Sequence, residues 1–157
     1  MCFRSSVHYA RDAVVAFRGG RYVSALIACQ HSWEMAGKAA LGVEGGYGWP
    51  PPRKTWMTRH SVLSDVANSC VRLALPPRIQ RILNRLESWL PPGSTHANPP
   101  PNTEYIFDAG ADWAIPSQYF TRSDARTAIR GVIKTLELVK GAYRTELKRL
   151  SSSVPNL

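Results

Sequence analysis

The stretch Arg21–Leu41, RYVSALIACQHSWEMAGKAAL, decides how this 157-residue chain folds. Tyr22, Leu26, Cys29, Trp33, Ala36 and Ala40 recur at alternating steps of four and three, which lays one apolar stripe along a helix. A second apolar edge runs through Val23, Ile27 and Leu41. A helix that needs cover on two sides belongs at the centre of a bundle. Between the edges sit Glu34 and Lys38, one turn apart, with the acid N-terminal in the favoured order. Flanked so closely by apolar residues, this pair is either a partly covered structural ion pair or the edge of a working site.

Upstream, Val7, Ala10, Val14 and Phe17 make the stripe of a first helix over Val7–Phe17, which Gly19-Gly20 ends. The first two helices therefore form an antiparallel hairpin. Downstream, Gly42 and Gly45-Gly46 stop the central helix, and GGYGWPPPRKTWMTRH (Gly45–His60) cannot be helical through Pro50-Pro51-Pro52. A third helix over Ser61–Leu73 places Leu63, Val66, Ala67 and Cys70 on one face. A fourth, Pro77–Leu90, carries Ile79, Ile82, Leu83, Leu86 and Leu90 and opens on a proline. Pro91–Thr121 is irregular and holds two proline clusters, a length that usually signals function or mobility, with Asp112–Pro116 pinning its later part to the core. The fifth helix, Ser123–Leu150, is the longest. Thr121 and Asp124 outline a capping box ahead of its buried stripe of Ala125, Ile129, Val132, Leu136, Val139 and Tyr143. No strand and no internal repeat stands out. The expected fold is all-α, an antiparallel up-and-down bundle of about five helices in a single domain (1–157), with its core at about 7–150 and a frayed tail at 151–157.

Composition narrows the partners. Hydrophobic content is 44%, and no apolar run reaches the ~20 residues of a membrane span. The N-terminus has no secretory outline. Cys2, Cys29 and Cys70 form an odd set without CxxC, reading as reduced thiols of a cytoplasmic protein. The net charge of +9 favours an acidic partner, nucleic acid or protein.

Chemistry-bearing constellations are sparse. His31 and Glu34 lie three apart, but two ligands make no zinc site and His8 and His96 lack ligand spacing, so neither metal nor cofactor is expected. Cys29 falls on the buried stripe and reads as packing. RNA cleavage needs a histidine beside an arginine, and His60 with Arg59 or Arg122 is the candidate pair; against it, His60 caps the third helix or donates to a backbone carbonyl. The last helix carries Arg122, Arg126, Arg130 and Lys134 at four-residue steps, then Lys140, Arg144 and Lys148. Such a row is a nucleic-acid footprint or a solvated face. Trp49, Arg53, Lys54 and Trp56 add cations beside stacking surface.

Glu34 and Lys38 in HSWEMAGKAAL, His60 in TRHSVLSDV, and IPSQYFTRSDARTAI leading into the last helix follow one another in an order that resembles HEPN domains. The similarity spans Val7 to about Tyr143 and is nearest to small stand-alone prokaryotic HEPN proteins, often encoded beside a minimal nucleotidyltransferase. Two elements depart from that pattern. Ala114-Ile115-Pro116 stands where the family commonly has Arg-Tyr-Pro. The last helix has no histidine, so the ribonuclease pair of an Arg and a His four to six residues on is missing. Arg4 and His8 are too tightly spaced, and Lys54 and His60 lie in the wrong element. The resemblance thus implies the fold without the nuclease. It implies a non-catalytic, cytoplasmic homodimer that binds nucleotide or RNA, or docks a nucleotidyltransferase in a two-component, toxin–antitoxin-like system. Glu34, Lys38, His60, Tyr119, Arg122, Arg126 and Arg130 are the candidate contacts, with no catalytic residue and no membrane contact. The alternatives are a ribonuclease toxin with a divergent site and a structural dimerisation module without ligand.

Overall fold

The computed structural model describes residues 2–45, 60–89, 103, 107–108 and 113–152. Trp49, Arg53, Lys54, Trp56, Arg59 and His96, named above, lie outside the described residues, as does most of the irregular stretch after Trp89. The architecture is an all-α helical bundle. Its helices are α1 (Cys2–Arg18), α2 (Tyr22–Glu44), α3 (Leu63–Ser69), α4 (Pro77–Ser88), the single turn α5 (Pro116–Tyr119) and α6 (Arg122–Ser152). A two-residue antiparallel ladder, β1 (Phe107–Asp108) on β2 (Trp113–Ala114), pairs Phe107 with Ala114 and Asp108 with Trp113. Two residues are too few for a period-2 pattern, so the sequence gives no sign of it.

α2 is the central helix: α1, α3, α4, α5 and α6 all touch it. The first apolar edge is buried through Leu26, Cys29, Trp33, Ala36 and Ala40; on the second, Leu41 is buried and Val23 packs against the core, while Ile27 is half-buried. Gly20, at φ 73°, turns α1 back onto α2. α1 begins earlier than its stripe suggests. Ser6 is fully buried and donates to the Phe3 carbonyl (2.6 Å), while Ser32 of α2 donates to the Ser6 carbonyl (2.7 Å). A polar residue thus carries the added turn, which an apolar periodicity cannot reveal.

Contacts at both ends fix the helix directions. Arg122 at the start of α6 lies over Phe17 at the end of α1, and Tyr143 late in α6 reaches Glu44 at the end of α2. α6 therefore runs parallel to α2. Arg85 of α4 meets Asp124, and Ile82 meets Gly131, so α4 runs antiparallel to α6. Up-and-down order is satisfied by α1, α2, α4 and α6. α3 is shorter than expected because Cys70 leaves helical geometry (φ −94°, ψ 84°), although Cys70 and Leu73 still bury. The expected capping box is present: Thr121 donates its N–H (3.0 Å) and hydroxyl (2.6 Å) to Asp124 Oδ2, and the Asp124 N–H returns to Thr121 Oγ1 (3.2 Å).

Two glycines let helices approach. A Cβ on Gly37 would stand 2.5 Å from Val62 Cγ2, and one on Gly131 would stand 2.6 Å from Ile82 Cγ2. Pro116 and Phe120, both buried, pin the segment before α6, and Phe120 meets Trp89 edge-on with centroids 4.9 Å apart. No helix of the described residues is long and apolar enough to cross a membrane.

Candidate functional site

The α-helical step of 100° places His31, Glu34 and Lys38 within one 60° sector of α2. The small residues Ala25, Cys29 and Ala36 occupy the opposite, buried side, where the bundle closes. Glu34 is buried, 5% exposed, and it is the hub. Its Oε1 accepts from Lys38 Nζ at 2.6 Å, and its Oε2 faces His60 Nδ1 at 3.0 Å and His31 Nδ1 at 3.8 Å. Burial alone would push this carboxyl up. Hydrogen bonds from His31, Lys38 and His60, together with the Lys38 charge, overcome burial and hold it at about 2. Glu34 is therefore a carboxylate at neutral pH.

That charge settles the histidine. A carboxylate only accepts, so His60 Nδ1 carries the proton and donates. In the neutral ring Nε2 then keeps its lone pair, and the His60 side chain is 58% exposed. The pair is a carboxylate-oriented imidazole, an arrangement competent for proton transfer or for accepting a hydrogen bond from a ligand. Among the described residues, His60 meets Glu34 and neither caps α3 nor bonds a backbone carbonyl, the two roles that its sequence position allows. His31 adds a ring contact to Tyr9 of α1, with centroids 5.3 Å apart.

The cap of α3 comes instead from Glu87, on α4, which the sequence reading overlooked. Its Oε1 accepts from the amides of Val62 and Leu63, each at 2.8 Å, and from the Trp33 indole at 2.6 Å. One carboxylate oxygen thus joins α2, α3 and α4 just beside His60. Its sequence signal is slight: Glu87 is the single acid in α4, next to buried Leu86. A second buried polar link was equally hidden. Gln30 donates to the Leu86 carbonyl (2.9 Å) and accepts from the Thr103 hydroxyl (2.9 Å).

The remaining candidates gather elsewhere. Tyr119 is 47% exposed and packs edge-on against Phe120. Arg122 lies 5.8 Å above the Phe17 ring, while Arg126 and Arg130 are exposed on α6. α6 packs along α2, and Arg126 and Arg130 lie on its exposed face, with no ion pair to the described residues. Arg122 stands level with the start of α2 and His60 with Glu34, roughly 18 Å apart along the helix. They therefore do not form the arginine–histidine pair that cleavage would need.

The thiols are free, and burial pushes Cys29 up to about 12 and Cys70 up to about 11, leaving neither as a ready nucleophile. Among the described residues, no group of three or more His, Cys, Asp or Glu side chains is placed to hold a metal ion. A groove of about 310 Å³ lies between α1 and α2, lined by Asp12, Val15, Ala16, Arg21, Ser24 and Ala28, and none of the candidate residues reaches it. No protein-family model, curated protein sequence or solved structure matches the chain.

Proposed function

We propose that this is a non-catalytic protein of the HEPN type that binds RNA or a nucleotide through the basic face of α6. One observation carries the reading: Arg126 and Arg130 are exposed at a four-residue step, and neither forms an ion pair with the described residues. Stability does not account for the row. Arg122 sits in the first turn of α6, where the helix dipole disfavours a cation, and neighbouring like charges repel. An anionic ligand offsets both costs. The reading includes a homodimer, for which Tyr9 and Val15 leave apolar surface exposed on α1, and a minimal nucleotidyltransferase is the protein partner that the HEPN resemblance suggests.

The test is RNA binding by Arg126→Glu/Arg130→Glu. The reading expects about a tenfold or greater loss of affinity at an unchanged melting temperature. Affinity equal to wild type would reduce the row to a solvated face.

A second reading, a ribonuclease with a divergent site, is favoured by the Glu34–His60 geometry alone. It lacks an arginine beside His60 among the described residues.

A further inference from the structure

The α6 row does not end on α6. Ile82 of α4 meets Gly131 of α6 so closely that a Cβ at position 131 would stand 2.6 Å from it. The residues around this crossing match on the two helices. Arg81-Ile82-Leu83 and Arg130-Gly131-Val132 each read as exposed, crossing, buried. Leu83 and Val132 both point into the core, so Arg81 and Arg130 share the outer face of the two-helix layer. The helices are antiparallel, so Arg78, four residues before Ile82, and Lys134, three after Gly131, lie toward the same end. They lie about 6 Å and about 4.5 Å along their axes from the crossing. The row Arg126–Arg130–Lys134 thus drifts across α6 toward α4, and Arg78 and Arg81 take it up there.

We infer that the outer faces of α4 and α6 together form a docking surface for the phosphate backbone of duplex nucleic acid, with Arg78 and Arg81 continuing the α6 row. The inference rests on the nucleic-acid reading above and extends it to a second helix and a form of ligand. Arg78, Arg81, Arg126 and Arg130 are exposed and make no ion pair with the described residues, and Lys134 has only an exposed partner, Glu137. Arg85 is anchored at the far end of the surface by Asp124 (3.2 Å) and the Trp89 ring (4.9 Å). Its guanidinium is held in place without being buried. Four of the five cations in the row are arginines, whose forked donors match phosphate oxygens.

The surface chemistry selects among acidic partners. A protein interface needs an apolar centre, and among the described residues of this face the large exposed apolar side chain is Ile133. A single strand needs aromatic faces for its bases, and Tyr119 lies ahead of the row, not in it. A duplex backbone needs neither. It presents a ridge of charge, about one per 1.7 Å of axis, that cations on adjacent helices can follow.

The test uses the full chain and a labelled RNA duplex of about two turns, followed by fluorescence anisotropy. Arg78→Glu/Arg81→Glu is expected to weaken binding by about tenfold or more and to make its salt dependence shallower, as does Arg126→Glu/Arg130→Glu. The melting temperature should hold, since a glutamate in the first turn of α4 suits the dipole. If the α4 pair binds as wild type while the α6 pair loses binding, the two-helix surface is overturned and the α6 reading stands. If neither variant loses affinity, both fall. Equal or tighter binding of a polyglutamate chain of matched charge, or tighter binding of single-stranded poly-U, overturns the duplex assignment.

Discussion

Glu34 Oε2 and His60 Nδ1 stand 3.0 Å apart, joining the middle of α2 to the segment that opens α3. The carboxylate is buried while the imidazole is 58% exposed, so the burial cost falls on one side and the chemistry faces out on the other. Lys38 holds the second carboxylate oxygen and helps keep Glu34 ionised. The result is a structural ion cluster with one outward histidine nitrogen.

Acid should unlock this cluster. Glu34 is held at about 2 in the folded chain against an ordinary 4.5, so its stabilisation is full above pH ~4.5 and fades as pH falls toward ~2. The size is at most about 3–4 kcal/mol. Chemical denaturation of wild type and Glu34→Gln across that window checks it. The expected result is a wild-type stability that declines on acidification and a variant curve that is lower at neutral pH and flatter. Parallel curves would mean that Glu34 is not the depressed group.

The purified chain should not cut RNA. His60 has an orienting carboxylate but no arginine beside it among the described residues to stabilise a phosphorane. Incubation of total RNA with wild type and His60→Ala is the assay, and both should leave it intact. Cleavage by wild type that His60→Ala abolishes would establish the ribonuclease reading.

Glu87 should be worth more than its exposure suggests. Glu87→Ala leaves the Val62 and Leu63 amides and the Trp33 indole without their acceptor. A loss of about 2–4 kcal/mol in unfolding free energy is expected, with a changed Trp fluorescence spectrum. Glu87→Gln keeps a carbonyl oxygen and should cost about half as much.

Two glycines of the same helix should respond in opposite ways. Gly37→Ala drives a methyl into Val62, which is fully buried and cannot step aside, and should destabilise by about 1–3 kcal/mol. Gly42 has no atom of the described residues within 4 Å of the added Cβ, so Gly42→Ala should stabilise by up to ~1 kcal/mol through helix propensity. Thermal melts of the two variants against wild type read the signs directly.

What the sequence shows and what it hides follow from the range of each interaction. The α2 stripe, the Glu34–Lys38 pair, the Thr121–Asp124 box and the α6 arginine row all repeat within one or two turns, so local spacing reveals them. The contact from His60 to Glu34 spans 26 positions and that from Glu87 to Trp33 spans 54, and no periodicity encodes either. The apolar pattern extends the expected third helix past the end of α3, because Cys70 and Leu73 keep that pattern after the helix has ended. Arg78 and Arg81 carry no local signal, because their meaning depends on the Ile82–Gly131 crossing.

The salt dependence of RNA affinity tests the central claim most directly. If the basic surface binds phosphate, four or more neutralised charges at about 0.7–0.9 each give a slope of log K against log salt near −3 or steeper. Titration of the wild-type chain with RNA between ~50 and ~200 mM salt should therefore show affinity falling by more than tenfold. A slope near zero, or no binding at the lowest salt, would contradict the account.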